Sequence, residues 1–253
     1  MGSASDSHGQ VSNRWGVVLG AVLIQLALGA IYAWSVFTPT LNASGWSRLE
    51  TQAVFALELA TFALVMVFAG RLLARVGPQK LALLGGATLG LGYVLAGLLG
   101  ATNFATVALC IGVLSGAGIG LAYVVPIAVG MRWFPDRKGM ITGLAVAGFG
   151  FGAMGWVKLA GSWGGLIEKM GLGGTFVLYG ITFAALIGLG TLWMRMPPKG
   201  WAPEGFVDSP AAKGRKGREN FTVSEMLRTP QFYLIFITFA VSAGSGLMSI
   251  GLM

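Results

Sequence analysis

Apolar residues along this chain do not alternate with polar ones. They run nearly unbroken for some twenty residues at a time, at 15–37, 51–73, 80–101, 104–131, 138–160, 175–194 and 231–253. A run of that length is what a helix needs to cross ~30 Å of hydrocarbon. The pattern therefore predicts seven membrane-spanning helices and an all-α membrane protein.

The segments between the runs set the organisation. In 38–50, Pro39, Asn42, Ser44 and Gly45 predict a turn, and Trp46 has the character of an interfacial anchor. Most other links are very short, which predicts consecutive helices side by side and antiparallel in one bundle over 15–195. The exception is 196–230, with five of the nine prolines, the basic run from Lys213 to Arg218 and no sustained apolar pattern. It reads as a linker between two units, following a polar tail over 1–14 and preceding a further helix over 231–253. Thr222 and Glu225 have capping-box spacing, predicting a short surface helix from Val223 to Arg228 that Pro230 stops. Six spans, a basic linker and a seventh span match transporters built of two six-helix halves with the substrate between them. The expectation is twelve helices in the complete protein, with a C-terminal half as this chain's partner.

Charge adds orientation. Placing the amino-terminal tail and every second loop on one side collects fourteen of the seventeen Lys and Arg there, namely Arg14, Arg71, Arg75, Lys80, Arg132, Arg137, Lys138, Arg195, Lys199, Lys213, Arg215, Lys216, Arg218 and Arg228. Arg48 and Lys169 fall opposite, and Lys158 lies at the end of the fifth span. The positive-inside rule then makes the amino terminus cytoplasmic, in a multi-pass protein of the cell inner (plasma) membrane. With 55% hydrophobic and 10% charged residues, the chain has too little polar surface for a soluble globule. The net charge of +8 is spread over helix ends, where it can meet anionic lipid, and forms no stripe suited to nucleic acid. The tail lacks the basic-then-apolar order of a cleavable signal, so the first span is expected to stay as an anchor. His8 is expected to be solvated there. The lone Cys110 excludes a disulfide framework and a thiolate metal site. No metal-ligand spacing, nucleophile–base pair or carboxylate pair occurs, so neither an enzyme nor a cofactor is expected.

Glycine numbers 41, and Gly86/Gly90, Gly112/Gly116/Gly120, Gly139/Gly143 and Gly148/Gly152 sit four apart, the spacing that lets helix backbones approach in lipid. Few ionisable groups fall within the spans. Glu58, two turns into the second span, is either a carboxyl that takes up and releases a proton or one that meets water or a donor near the interface. Lys158 is expected to snorkel, and an ion pair with Glu58 is conceivable. Gln25, Leu28, Tyr32 and Val36 share a stripe of the first helix, and Ile119 and Tyr123 share one of the fourth. Pro126 should free the carbonyl of Ala122 and bend the fourth helix near Tyr123.

The segment Trp133-Phe134-Pro135-Asp136-Arg137-Lys138-Gly139, continuing through Gly148, resembles the opening of the fifth helix in monocarboxylate transporters and the related oxalate/formate antiporters of the major facilitator superfamily. Ile31-Tyr32-Ala33-Trp34-Ser35 on the first helix resembles the bacterial oxalate/formate branch, as do Pro197-Pro198-Lys199-Gly200-Trp201 and Glu225-Met226-Leu227-Arg228-Thr229-Pro230 around the seventh. The superfamily's loop motif between the second and third helices is matched by Gly70, Arg71, Arg75, Gly77 and Lys80, with Ala74 where an acid is usual. Val36 stands where animal monocarboxylate transporters carry a lysine.

The resemblance implies a major facilitator fold and alternating access around a central anion site. Its substrate-binding wall in this chain would be Leu28, Tyr32, Ile119, Tyr123, Leu144 and Gly148, with Glu58 as the proton-coupling candidate. A conformational latch would use Gly70, Arg71, Arg75, Gly77 and Lys80 together with Arg132, Asp136 and Arg137, Asp136 standing in for the missing acid. The cations that hold the carboxylate would lie in the C-terminal half. The function so implied is co-transport of a small carboxylate of lactate or pyruvate type with a proton. Oxalate/formate exchange is the alternative, and a non-transporting receptor or scaffold on the same bundle a distant one.

Overall fold

The computed structural model describes residues 14–198, 201–203 and 223–251, in two compact units that divide between Ala202 and Pro203. In the first unit, α1 (Arg14–Leu28) passes through a tightly wound 3₁₀ stretch, Gly29–Val36, into α2 (Thr38–Ala43). Then come α3 (Arg48–Val76) and α4 (Pro78–Gly100). A short α5 (Phe104–Val107) leads through a widely wound π stretch, Ala108–Ser115, into α6 (Gly116–Trp133), and α7 (Lys138–Ala160) and α8 (Leu166–Thr191) follow. Six rods result, Arg14–Ala43, Arg48–Val76, Pro78–Gly100, Phe104–Trp133, Lys138–Ala160 and Leu166–Thr191, each long and apolar enough to cross a bilayer. The second unit holds α9 (Val223–Met226) and α10 (Pro230–Gly251).

Local chemistry fixes the ends. The Ser47 hydroxyl accepts the Glu50 N–H at 3.2 Å, while the Glu50 carboxylate accepts the Ser47 N–H at 2.8 Å, a reciprocal cap that starts α3 and is worth about 1 kcal/mol. Gly77, at φ 87°, occupies a backbone region closed to most side chains, and Pro78 then opens α4 with its φ already helical. The tight join between the second and third rods follows from that pair.

Several expected boundaries move. Thr38 to Ala43, expected as a turn, is helical, because Pro39 sits in a first helical turn, where its missing N–H has no partner to lose. Trp46 is buried and no lipid anchor: its indole N–H donates to the Thr102 carbonyl at 2.6 Å and its ring meets Phe104 at 5.5 Å, tying the first connection to the third. The sixth rod begins at Leu166, nine residues before the expected 175, because one polar turn precedes a break at Gly171 (φ 72°, ψ 178°). The short helix after the linker ends at Met226, and Pro230 opens α10. Thr222, His8 and the run from Lys213 to Arg218 lie outside the described residues.

Among consecutive rods only the third and fourth pack extensively. The most extensive packing joins α4 to α8, α3 to α6, α4 to α6, and α1 to both α7 and α8, whereas α3 meets α4 and α7 meets α8 only slightly. Glycine selects these partners. A Cβ on Gly90 would lie 2.7 Å from the Gly180 carbonyl, one on Gly173 2.9 Å from the Gly97 carbonyl, one on Gly85 2.7 Å from the Gly118 carbonyl, and one on Gly120 2.8 Å from the Phe62 carbonyl. Backbones this close gain dispersion contacts where no hydrophobic effect drives association. Gly139 and Gly143 depart from the expectation: a Cβ on either meets nothing within 4 Å.

Candidate functional site

Four aromatic rings from four rods form a continuous seam. Tyr32, on the 3₁₀ stretch of the first rod, meets Phe149 of α7 edge to face at 5.3 Å. Phe149 meets Tyr123 of α6 at 5.6 Å, and Tyr123 meets Phe62 of α3 at 5.3 Å. Phe149 is buried, and the other three are half-buried. Neither tyrosine hydroxyl has a hydrogen-bond partner among the described residues.

The first rod aims Tyr32 by changing its winding. Four residues of 3₁₀ helix advance about 120° beyond a full turn, against about 40° for α-helix, so the stripe expected through Leu28 and Tyr32 is broken at Gly29. Leu28 is fully buried, while Tyr32 reaches the seam. Glycine again permits the contact. Gly29 presses on the Phe149 backbone, Gly152 on the Leu26 carbonyl, and the Trp156 indole N–H donates to that carbonyl at 2.7 Å.

Of the six residues expected to form the substrate wall, Tyr32 and Tyr123 come together through Phe149. Ile119, like Leu28, is fully buried in the packing between rods, Gly148 is buried against the Gln25 side chain, and Leu144 is exposed on α7. Phe149 and Phe62 escaped the sequence reading. Their only signals were adjacency, Phe149 following Gly148 and Phe62 standing one turn beyond Glu58. Near Tyr123, the fourth rod continues helically past Pro126, and its irregular winding lies earlier, at Ala108–Ser115. There the Ser115 hydroxyl lies 3.3 Å from the Leu89 carbonyl and 3.2 Å from that of Cys110.

Among the described residues six polar side chains are buried: Gln25, Thr51, Glu58, Ser115, Thr175 and Thr191. The four hydroxyls donate to backbone carbonyls, as Thr51 does to Arg48 at 2.9 Å and Thr175 to Gly171 at 2.7 Å. Gln25 and Glu58 differ. The amide nitrogen and oxygen and both carboxyl oxygens lack any hydrogen-bond partner among the described residues. The Glu58 backbone packs on Gly116 of α6, and its carboxyl is fully buried with no hydrogen-bond donor among the described residues. Lys158 forms no pair with it, its ammonium standing 5.7 Å over the Trp163 ring.

The basic end of the rods carries the remaining candidates. Asp136 accepts from Arg14 at 3.3 Å and lies 3.5 Å from Arg137. The Arg14 guanidinium rests 4.8 Å over Phe134, which also takes the edge of Trp15 at 5.4 Å. Arg71, Arg75 and Lys80 are exposed and make no ion pair among the described residues. Arg132 reaches the Met196 sulfur at 3.6 Å, and Gly70 faces open space.

Three curated relatives share this sequence pattern. The uncharacterized MFS-type transporter YhjX of Escherichia coli (strain K12) is 30% identical over 242 residues, which cover 94% of this chain and 56% of the relative. An oxalate:formate antiporter of Oxalobacter formigenes is 27% identical over 237 residues, 92% of this chain and 53% of the relative. Apicoplast pyruvate carrier 1 of Toxoplasma gondii is 29% identical over 196 residues, 60% of this chain and 36% of the relative. The chain thus spans about half the length, or less, of the curated relatives it matches. Residues 12–253 match the family model of the Major Facilitator Superfamily. With six bilayer-length apolar rods and that match over nearly its whole length, the chain is an integral membrane protein and belongs to the Major Facilitator Superfamily of transporters.

Proposed function

We propose that this chain forms one wall of an alternating-access carrier that moves a small monocarboxylate of lactate or pyruvate size together with a proton. The observation that carries this reading is the seam of Tyr32, Phe149, Tyr123 and Phe62, which offers apolar area and two uncommitted hydroxyls. A small carboxylate suits such a surface: its short carbon chain meets the rings, and each hydroxyl can donate to a carboxylate oxygen. The seam carries no positive charge. Lys158, on the same rod as Phe149, is nine residues farther along and engaged with Trp163, so the counter-charge must come from the other half of the carrier. The pyruvate carrier among the relatives favours the same substrate class.

Glu58 is the proton site in this reading. An anion entering against an inside-negative potential meets ~2.3 kcal/mol per charge per 100 mV, and a proton carried with it removes that term. A carboxyl with no fixed partner can change protonation without breaking an existing hydrogen bond. The basic end, with the amino terminus, faces the cytoplasm of a plasma membrane. The exposed Arg71, Arg75 and Lys80, with Gly70, Gly77 and Arg132, latch that side against the second half, while Asp136 and Arg137 set the position of the first rod's start.

The test is uptake of labelled pyruvate and lactate into proteoliposomes holding the intact carrier, with and without an inward proton gradient. The gradient should accelerate uptake, and Glu58→Gln should remove the acceleration while leaving exchange of labelled for unlabelled substrate. The oxalate:formate antiporter among the relatives favours a second reading, strict exchange. Uptake that needs preloaded counter-substrate and ignores the proton gradient would establish that reading in place of the first.

A further inference from the structure

Gln25 shares with Glu58 alone, among the described residues, a fully buried polar side chain left without hydrogen bonds, and unlike Glu58 it cannot change charge. Both its amide nitrogen and its amide oxygen lack a partner among the described residues, while the buried Thr51, Ser115, Thr175 and Thr191 hydroxyls all donate to backbone carbonyls. The neighbouring backbone offers it little. Gly148, across the contact, would place a Cβ 3.2 Å from the Gln25 Cβ, so the two rods are closed at this level, and the adjacent Leu26 carbonyl is already taken by Trp156. Directly beyond lie Gly29, where the first rod changes to 3₁₀ winding, and Phe149, the ring that joins Tyr32 to Tyr123.

A buried amide without partners is unfavourable compared with an apolar side chain of the same shape. Held in one packing arrangement it is a defect. It becomes an asset in a carrier whose rods occupy more than one arrangement, if another state supplies the missing partner. Glutamine has three rotatable side-chain bonds, so its amide can swing along the rod toward the seam when Phe149 shifts. The transported carboxylate then presents acceptor oxygens, and an amide N–H donating to an anion makes a stronger bond than a neutral pair.

Resting on the monocarboxylate reading above, we infer that Gln25 is a substrate-binding residue, whose side-chain N–H groups donate to the carboxylate of the bound anion in the loaded state, alongside the Tyr32 and Tyr123 hydroxyls. Its use is specificity for a small anion: a longer substrate would be stopped by Phe149 before its carboxylate reached the amide.

The test compares the wild-type intact carrier with Gln25→Met and Gln25→Asn in proteoliposomes, using labelled pyruvate, and measures thermal unfolding in detergent. Gln25→Met keeps length and removes both polar atoms. It should raise KM about tenfold, the worth of one hydrogen bond to a charged group, with the maximal rate within twofold and an unfolding midpoint equal to or above wild type. Gln25→Asn, too short to reach the anion, should raise KM similarly. An unchanged KM in Gln25→Met with wild-type folding would overturn the inference and leave the transport reading standing. A Gln25→Met protein that fails to fold would overturn it too, since that amide would then have been supporting the packing. Wild-type carrier that takes up none of pyruvate, lactate and formate would overturn both.

Discussion

Two aromatic clusters in this bundle use the same residue types to opposite ends. One gathers Phe37, Tyr93, Trp156, Phe176, Tyr179 and Phe183 around the contact of α4 with α8, with centroid spacings from 4.8 to 5.9 Å and every member buried. Its Tyr179 hydroxyl donates to the Trp156 carbonyl, and the rods beside it touch through Gly90 and Gly180. The other is the seam of Tyr32, Phe149, Tyr123 and Phe62, with similar spacings but three of its four rings half-buried and both hydroxyls unbonded among the described residues. A ring that is sealed and hydrogen-bonded fixes two helices against each other. A ring that is open and unbonded keeps its capacity for something that comes and goes.

The rods obey the same division. The third is buried over half of its most apolar window, whereas the second is buried over 17% and the fifth over 33%. Leu64 and Phe68 on α3, and Val146 and Phe151 on α7, project large apolar side chains without cover in this unit. Rocking requires some faces that hold and others that part, and glycine serves both. At Gly90 and Gly180 it brings backbones together, while at Gly139 and Gly143 it leaves a bare helix surface.

The largest effect should come from breaking the sealed side. A Cβ on Gly180 would fall against the Gly90 carbonyl and 2.8 Å from the Val94 side chain, so Gly180→Leu must separate α4 from α8. Overpacking of this kind costs about 3 kcal/mol, and the substituted protein should unfold at markedly lower temperature or fail to accumulate. Gly143→Leu, into open space, should leave the unfolding midpoint unchanged. Equal damage from both would erase the distinction between the two faces.

A smaller and more selective effect separates the two tyrosines. Tyr123→Phe should raise KM for the transported carboxylate about tenfold with stability unchanged, since the hydroxyl has no partner to lose. Tyr179→Phe strips the Trp156 carbonyl of its donor and should lower stability by about 1 kcal/mol while leaving KM alone. Substrate titration and thermal unfolding on the same two proteins decide the matter, and crossed outcomes would reverse the assignment of the clusters.

Much of this was legible in the chain itself. The six rods follow from run length, because lipid makes the apolar requirement nearly absolute. Tyr32 and Tyr123 were legible too, as polar groups placed where polarity is unfavourable. Helix partnership was not. Short links suggested that neighbours in sequence would be neighbours in space, which holds for the third and fourth rods, but close approach is decided by which glycines face each other, and no single sequence states that Gly90 will find Gly180. Nor does an α-helical stripe survive a change of winding: the 3₁₀ stretch after Gly29 turned Tyr32 toward the seam and left Leu28 in the core. The capping box of Ser47 and Glu50 lay inside a segment expected as a turn, and it marks the start of α3 better than the apolar run beginning at Thr51.

The smallest expected effect tests whether the basic end belongs to the holding side or the parting side. Asp136 draws Arg14 and Arg137 together, and both side chains of the Arg14–Asp136 pair remain about a quarter exposed. Water screens such a pair, so its removal in Asp136→Asn should cost about 0.5 kcal/mol and move the unfolding midpoint only slightly. Arg14 would keep its place over Phe134, whose ring also takes the edge of Trp15. If the pair tunes how readily this end opens, the maximal transport rate should change up to threefold with KM constant, because the seam lies far along the rods. A large loss of folded protein would mean that Asp136 is instead a structural tie, and the parting surface would then be confined to the second and fifth rods.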